Sequence, residues 1–201
     1  MFSKYGFITV CALLPGTVLF RYGIGIDALK YMVLILLLLV ASVYDISTME
    51  VPDRFWICGT FVWAVLFVFS ECHPRGGKRL LPDGTGGYMI RENIRHDLIM
   101  AASGAFAVPL FLLLISLILE MILKRETIGF ADIKILFMTG LYLGPIRNIL
   151  NIFLMAAAGL AGCVLLLRKD EEFPLVPSIA ISTLTVVLAG DEMISWYVSV
   201  L

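Results

Sequence analysis

Charged residues and histidine are scarce in this sequence. Aspartate, glutamate, lysine and arginine make up 15% of the 201 residues, and histidine occurs twice. A typical soluble domain carries about 25% charged residues, so a water-soluble fold of this length would expose much apolar surface. The net charge of −1 also excludes the strongly basic surface that recruits nucleic acid. We therefore expect no nucleic-acid partner.

Cysteine is present, but not in the spacings of known metal or redox sites. Cys11, Cys58, Cys72 and Cys163 are scattered and form no Cys-x-x-Cys pair, which argues against a zinc ribbon and a thioredoxin-like site. The two histidines, both within the polar segment 71–97, show no recognisable ligand spacing either. We therefore expect neither a metal nor a cofactor.

Apolar residues make up 60% of the chain and gather in long runs. A membrane-spanning helix needs about 20 predominantly apolar residues. The pattern predicts an all-α fold, a polytopic membrane helix bundle of about six to seven transmembrane helices surrounded by the lipid bilayer. The candidate spans are residues 7–22, 29–45, 55–70, 98–123, 130–146, 148–167 and 173–190.

No internal repeat or low-complexity tract divides the chain, so we expect a single transmembrane domain over residues 1–201. Residues 1–28 are predicted to add an N-terminal span, because no convincing small-residue cleavage site of a signal peptide follows the apolar stretch. The polar segment 71–97 is predicted to be a loop insertion. Gly140 and Gly144 form a Gly-x-x-x-Gly pattern, which is typical of helices whose backbones pack closely in lipid.

Two aspartates, Asp45 and Asp132, lie at the ends of apolar runs. An ionisable residue at membrane depth is energetically costly and therefore indicates a functional site. Between the two aspartates lie two crossings, residues 55–70 and 98–123, and two crossings return a chain to its starting side. Asp45 and Asp132 are therefore predicted to share one face of the membrane.

Two carboxyl groups in one cleft have a specific chemical use. If they approach closely, their repulsion makes the pair hold a single proton over part of the pH range. The charged carboxylate can then activate water while the protonated one polarises a peptide carbonyl, as in aspartic proteases. Either aspartate alone could instead be a helix cap or a solvated boundary residue. The two residues by themselves leave both interpretations open.

The residues after Asp45 add a pattern. In the segment DISTMEVPD, Pro52 follows Asp45 by seven residues and Asp53 comes next. This resembles the first catalytic motif of the type IV prepilin peptidases, in which an Asp is followed at that spacing by Pro and then by Asn or Asp. The segment FPLVPSIAIS, from Phe173, resembles the Pro-bearing start of the final helix of that family.

The segment GFADIKILFMTGLYLG is similar to the second motif of the same family, whose core is Gly-x-Gly-Asp with Lys two residues later. Gly129, Asp132 and Lys134 fall at the family positions. Ala131 stands where the family has its second Gly. Alanine cannot adopt φ > 0 without strain, so the effect of this difference depends on whether the position needs that conformation or only a small side chain.

The resemblance implies a compact, membrane-embedded aspartyl endopeptidase of the Gly-x-Gly-Asp type, without the methyltransferase insertion. Such an enzyme would cleave the leader from a prepilin or pseudopilin precursor helix at the cytoplasmic face of a bacterial or archaeal plasma membrane. Asp45 and Asp132 would be the catalytic pair, and Gly129 would let the chain bend so that Asp132 faces the cleft. Lys134 lies roughly 200° round a helix from Asp132, so it would be an interfacial anchor or an electrostatic neighbour of another helix.

Two other functions remain open from the sequence. A small ion or proton-coupled transporter component could use the aspartates as relays, and a catalytically inactive family relative could carry the same motifs. With a cytoplasmic N-terminus and seven spans, the cytoplasmic side carries seven basic residues and the opposite side eight. Without the polar segment 71–97 the numbers are seven and three, which favours the orientation of the family.

Overall fold

The computed structural model describes residues 16–72, 86–124, 129–166 and 174–200, and all its regular elements are helices. α1 comprises residues 16–22 of the described part. The six helices that follow are α2 (Ile26–Thr48), α3 (Arg54–Cys72), α4 (Gly86–Leu123), α5 (Phe130–Leu143), α6 (Pro145–Leu166) and α7 (Val176–Val200). The predicted all-α class is therefore confirmed.

Four of these helices contain stretches long and apolar enough to cross a membrane. The stretches are Ile26–Thr48, Ile94–Ile122, Pro145–Cys163 and Val176–Val200, and a shorter apolar helix covers Arg54–Ser70. Many large apolar side chains on their outer faces are exposed, as expected for helices that contact lipid. The chain is a multi-pass membrane protein with a helical bundle. The predicted span 7–22 lies mostly outside the described residues.

Two boundaries differ from the sequence-based expectation. α5 has 14 residues and is about 21 Å long, so it is shorter than the predicted span 130–146. α4 begins at Gly86, so the later part of segment 71–97 is helical, contrary to the predicted loop. Residues 91–97 contain neither proline nor glycine, and nothing in them ends a helix that continues from residue 98. Residues 73–85 lie outside the described residues.

α5 is the centre of the bundle. It packs against α2, α3, α4, α6 and α7, and nine of its fourteen residues are buried. A helix that is apolar on nearly all sides is expected to lie inside a fold, and α5 is enclosed by the five helices that it contacts.

Close backbone packing joins α5 to α4, as the Gly-x-x-x-Gly pattern predicts. A Cβ atom added to Gly104 of α4 would lie 2.5 Å from the Gly140 carbonyl oxygen and 2.5 Å from the Gly144 carbonyl carbon. The side-chain amide of Asn148, in α6, donates a hydrogen bond of 2.9 Å to the Gly104 carbonyl. These contacts fix the position of α5 along its axis relative to α4.

Polar contacts hold the end of the bundle where α2 and α6 begin and α7 nears its end. Arg147 pairs with Asp191 at 2.5 Å and donates a hydrogen bond of 2.8 Å to the Tyr31 hydroxyl. The α1 segment packs there as well, because Val18 is fully buried and the Tyr22 hydroxyl donates to the Val187 carbonyl at 2.9 Å. The N-terminal segment is therefore part of the bundle, at least from residue 16 onward.

Candidate active site

Asp45 lies in the last turn of α2, and its side chain is buried. Its exposed fraction is 6%, so it is not a solvated boundary residue. Its Oδ2 atom accepts a hydrogen bond of 2.9 Å from the backbone N–H of Val176, the first residue of α7. The first N–H groups of a helix have no intrahelical partner, and they favour a negative charge nearby. The carboxylate is therefore held in a fixed position.

The chain beyond Asp45 turns sharply into α3. Met49 adopts a left-handed conformation with φ of 53°, and its N–H donates to the Asp45 carbonyl. The Phe55 N–H donates to the Pro52 carbonyl at 3.1 Å, and the Ile57 N–H donates to the Asp53 carbonyl at 3.2 Å. Pro52 and Asp53 thus lie immediately before α3, and their carbonyl groups accept hydrogen bonds from its first turn. The seven-residue spacing between Asp45 and Pro52 covers one helix end, one reversal and the start of the next helix.

Asp132 lies in the first turn of α5 and is partly buried. Its N–H donates to the Gly129 carbonyl at 3.1 Å, and its side chain folds back over Gly129. A Cβ atom at Gly129 would lie 3.1 Å from Asp132 Oδ2. Gly129 has φ of −62° and ψ of 134°, a conformation open to any residue. Its glycine therefore provides space for the carboxyl group and not the expected backbone freedom.

Asp45 and Asp132 lie at the same end of the bundle. α2 and α5 are in contact, and the two carboxyl groups are close enough to interact electrostatically. The chain runs away from Asp45 in α3 and returns in α4 before it reaches Asp132. This common end of the bundle agrees with the prediction that both aspartates share one face of the membrane. The site combines a buried carboxyl group with a partly buried one, both carried by helix ends.

Ala131, the residue that differs from the resembled motif, is compatible with this geometry. It is the second residue of α5. Among the described residues, the non-glycine residues with positive φ are Met49 and Lys124, so Ala131 has an ordinary helical φ. In this chain, position 131 therefore does not require the positive φ that favours glycine.

Lys134 connects the two motifs. Its Nζ atom lies 2.6 Å from Asp53 Oδ1 and 5.1 Å from the centre of the Phe130 ring. Trp56 Nε1 donates a second hydrogen bond, of 3.1 Å, to the same oxygen. The hydrogen bond from Lys134, followed by that from Trp56, lowers the pKa of Asp53, so this carboxylate stays charged at a lower pH than an ordinary aspartate. Lys134 therefore interacts electrostatically with a carboxylate outside α5, which is the second of the two roles expected for it.

Two participants in this site were not predicted. The backbone N–H of Val176 reaches Asp45 across a sequence separation of 131 residues, and the Trp56 indole reaches Asp53. The contact of Val176 could have been predicted from Pro177, the next residue. Proline is common in the first turn of a helix, where the backbone N–H groups need hydrogen-bond acceptors. The contact of Trp56 could have been predicted from its spacing. Trp56 follows Asp53, the residue before α3, by three residues, which is about one helical turn.

Comparisons with known proteins agree with this arrangement. A model of the type IV leader peptidase family matches residues 32–167, a range that includes both aspartates. The prepilin leader peptidase/N-methyltransferase of Pseudomonas putida is 27% identical over 198 residues, a match that covers 94% of this chain and 60% of that relative. The chain thus spans about 60% of the length of this curated relative. No solved structure matches. The family match covers more than half of the chain, and the chain belongs to the type IV leader peptidase family, a family of proteases.

Proposed function

We propose that the chain is an intramembrane aspartyl endopeptidase that removes the leader peptide from prepilin or pseudopilin precursors. The observation that supports the proposal best is the position of Asp45 and Asp132 at the same end of the bundle, close enough for their carboxyl groups to interact electrostatically. The matched family and the printed name of the Pseudomonas putida relative support the reaction class and the substrate.

In the proposed mechanism the two carboxyl groups share one proton. The charged carboxylate removes a proton from a water molecule, and the protonated carboxyl group donates a hydrogen bond to the scissile carbonyl oxygen. Burial disfavours the charged form of Asp45, and the hydrogen bond from the Val176 N–H offsets part of this cost. Because of this backbone donor, we assign Asp45 as the base and Asp132 as the acid at the start of the reaction.

The proposed site faces the cytoplasm. The count of basic residues outside the polar segment 71–97 supports this orientation. A precursor held in the bilayer would then present the end of its membrane helix, and the leader that precedes it, to the two aspartates.

Asparagine substitution tests the catalytic pair. Asp45→Asn keeps an oxygen that can accept the Val176 N–H, so it removes the acid–base function while it retains the contact between α2 and α7. We expect Asp45→Asn and Asp132→Asn each to lower cleavage of a co-expressed prepilin by about 10³-fold or more, measured by the gel shift of the processed product. The matched control is Glu50→Gln, which changes an exposed carboxylate near the start of α3 and should cut normally.

Membrane levels of all variants must equal the wild type. If either asparagine variant still cuts at the wild-type rate, the two-aspartate mechanism is wrong. If the wild type cuts none of the prepilins encoded in the same genome, the proposed substrate is wrong. Equal loss in Glu50→Gln would show that the assay responds to any change at this end of the bundle.

A further inference from the structure

Lys134 and Asp132 leave the first turns of α5 in different directions. The two residues are two positions apart, so their side chains are separated by roughly 200° round the helix axis. Asp132 belongs to the candidate active site, whereas the Lys134 Nζ atom lies 2.6 Å from Asp53 Oδ1. The start of α5 is therefore held by an ion pair on a face that does not carry the catalytic carboxyl group.

The ion pair connects α5 with the segment that follows the other aspartate. Asp53 comes after Asp45 in the same chain segment, beyond the turn at Met49, and lies immediately before α3. Chain and ion pair together form a closed loop, which runs from Asp45 through the turn to Asp53, across to Lys134 and back along α5 to Asp132. A closed loop limits how far its members can separate, and both aspartates are members of this one.

Each partner of the ion pair also makes a second contact. Trp56 Nε1 donates to the same Asp53 oxygen at 3.1 Å, and the Lys134 ammonium group lies 5.1 Å from the centre of the Phe130 ring, an attractive cation–π arrangement. A surface ion pair is usually weak because two mobile side chains lose conformational entropy when they pair. Here the indole and the ring already restrict both side chains, so the ion pair holds a defined geometry.

The ion pair lies at the end of the bundle where carboxyl groups repel each other. Two charged carboxylates favour separation, which here means separation of the start of α5 from the end of α2. Within the described part of the chain, the other ion pairs between distant segments lie at the far end of the bundle, namely Arg21 with Glu192 and Arg147 with Asp191. At the near end, Lys134 and Asp53 form the described ion pair that opposes this separation.

We propose that Lys134 and Asp53 are positioning residues that hold Asp132 beside Asp45, an inference that rests on the proposed function. A rotation of α5 about its axis, or a shift along it, moves Lys134 and Asp132 together. An ion pair that fixes Lys134 therefore also fixes the catalytic carboxyl group. Lys134 and Asp53 act through the backbone of α5 and of the turn before α3, and not on the substrate.

Steady-state kinetics on a prepilin test the pair as a unit. Lys134→Met keeps an unbranched apolar side chain and removes the charge, and Asp53→Ala removes the carboxylate. We expect each to lower kcat roughly tenfold, because a small displacement of a catalytic group is costly, while KM stays within about twofold of wild type. The double variant should be no slower than either single variant, because residues in contact are not additive. Lys134→Arg can still pair with Asp53 and stack on Phe130, so it should keep kcat within about threefold of wild type.

The matched control is Arg54→Met, which removes an exposed basic residue next to Asp53 and should leave both constants unchanged. Independent losses that multiply in the double variant, or a wild-type kcat in Lys134→Met, would overturn the proposal. An equal loss in Arg54→Met, or in Lys134→Arg, would do the same, because the ion pair would then not be the cause. A rise in KM as the main effect would place the pair in contact with the precursor instead.

Electron paramagnetic resonance separates this inference from the proposed function, because it needs no substrate. Spin labels on Ser47→Cys and Phe130→Cys, both at exposed positions, report the distance between the end of α2 and the start of α5. The four native cysteines are replaced by serine in this enzyme. Phe130→Cys removes a ring beside Lys134 but neither partner of the ion pair.

We expect Lys134→Met to lengthen or broaden the distribution of distances between the labels, and Arg54→Met to leave it unchanged. An unchanged distribution in Lys134→Met overturns the positioning role even if prepilins are cut. A changed distribution in an enzyme whose wild-type form cuts no prepilin supports the positioning role and overturns the proposed substrate.

Discussion

Gly129 and Ala131 lie only two residues apart, but the structure gives them different relations to the Asp132 carboxyl group. Gly129 lies beneath the Asp132 carboxyl group, where an added Cβ atom would be 3.1 Å from Oδ2. That distance is shorter than an ordinary van der Waals contact, so the carboxyl group would have to move. Ala131 already carries a Cβ atom in a helical conformation. The small residue that positions the aspartate is therefore Gly129.

This difference predicts the result of exchanging the two residue types. Gly129→Ala should lower kcat roughly three- to tenfold, because a catalytic group displaced by even a fraction of 1 Å loses much of its effect. Its KM and thermal stability should change little, since φ at Gly129 suits alanine. Ala131→Gly should leave cleavage within about twofold of wild type. Steady-state kinetics on purified enzyme check both, and a large gain of activity in Ala131→Gly would contradict our account of this position.

At the scale of elements, the position of Asp132 depends on how α4 and α5 approach each other. Gly104 faces Gly140 and Gly144 with no space for a side chain. Gly104→Ala would gain roughly 1 kcal/mol of helix propensity but must separate two backbones in direct contact. We expect a net destabilisation of about 1–3 kcal/mol, measured as a lower midpoint of thermal unfolding in detergent, together with reduced cleavage.

Gly159→Ala is the matched control for this substitution. Gly159 also lies within a helix, α6, but a Cβ atom there would meet its nearest neighbour, Ser178 Oγ, at an ordinary distance of 3.7 Å. The same chemical change should therefore leave the unfolding midpoint unchanged or raise it. If Gly104→Ala is as stable as Gly159→Ala, then the close contact of α4 and α5 is not a determinant of stability.

The same elements show which parts of the structure could be predicted from sequence. Hydropathy and the number of crossings predicted the helical class and the shared face of Asp45 and Asp132, because lipid imposes both on the chain. The contacts of Asp45 with Val176 and of Lys134 with Asp53 could not be predicted, because they depend on how helices pack laterally, which hydropathy does not specify. The central position of α5 escaped prediction for a related reason. A helix enclosed by other helices is as apolar as one that faces lipid.

At the scale of the whole molecule, the two ends of the bundle must face opposite sides of the membrane. α7 begins at Val176, beside Asp45, and its 25 residues rise about 37 Å, which carries its far end across the bilayer. Glu50 lies at the end with the aspartates, whereas Ser195 lies at the other end, and both are exposed. A cysteine at each position therefore reports the orientation of the site.

We expect a membrane-impermeant maleimide to label Ser195→Cys in intact spheroplasts and Glu50→Cys only after permeabilisation. Both substitutions would be made in a variant in which the four native cysteines are replaced by serine, after a test that this variant still cleaves a prepilin. The result follows if the aspartates face the cytoplasm, as the distribution of basic residues outside the polar segment suggests. Labelling of Glu50→Cys in intact spheroplasts, with Ser195→Cys protected, would reverse the orientation. The leader would then have to be removed on the outer side of the membrane, a site that a precursor reaches only after its polar leader has crossed the bilayer.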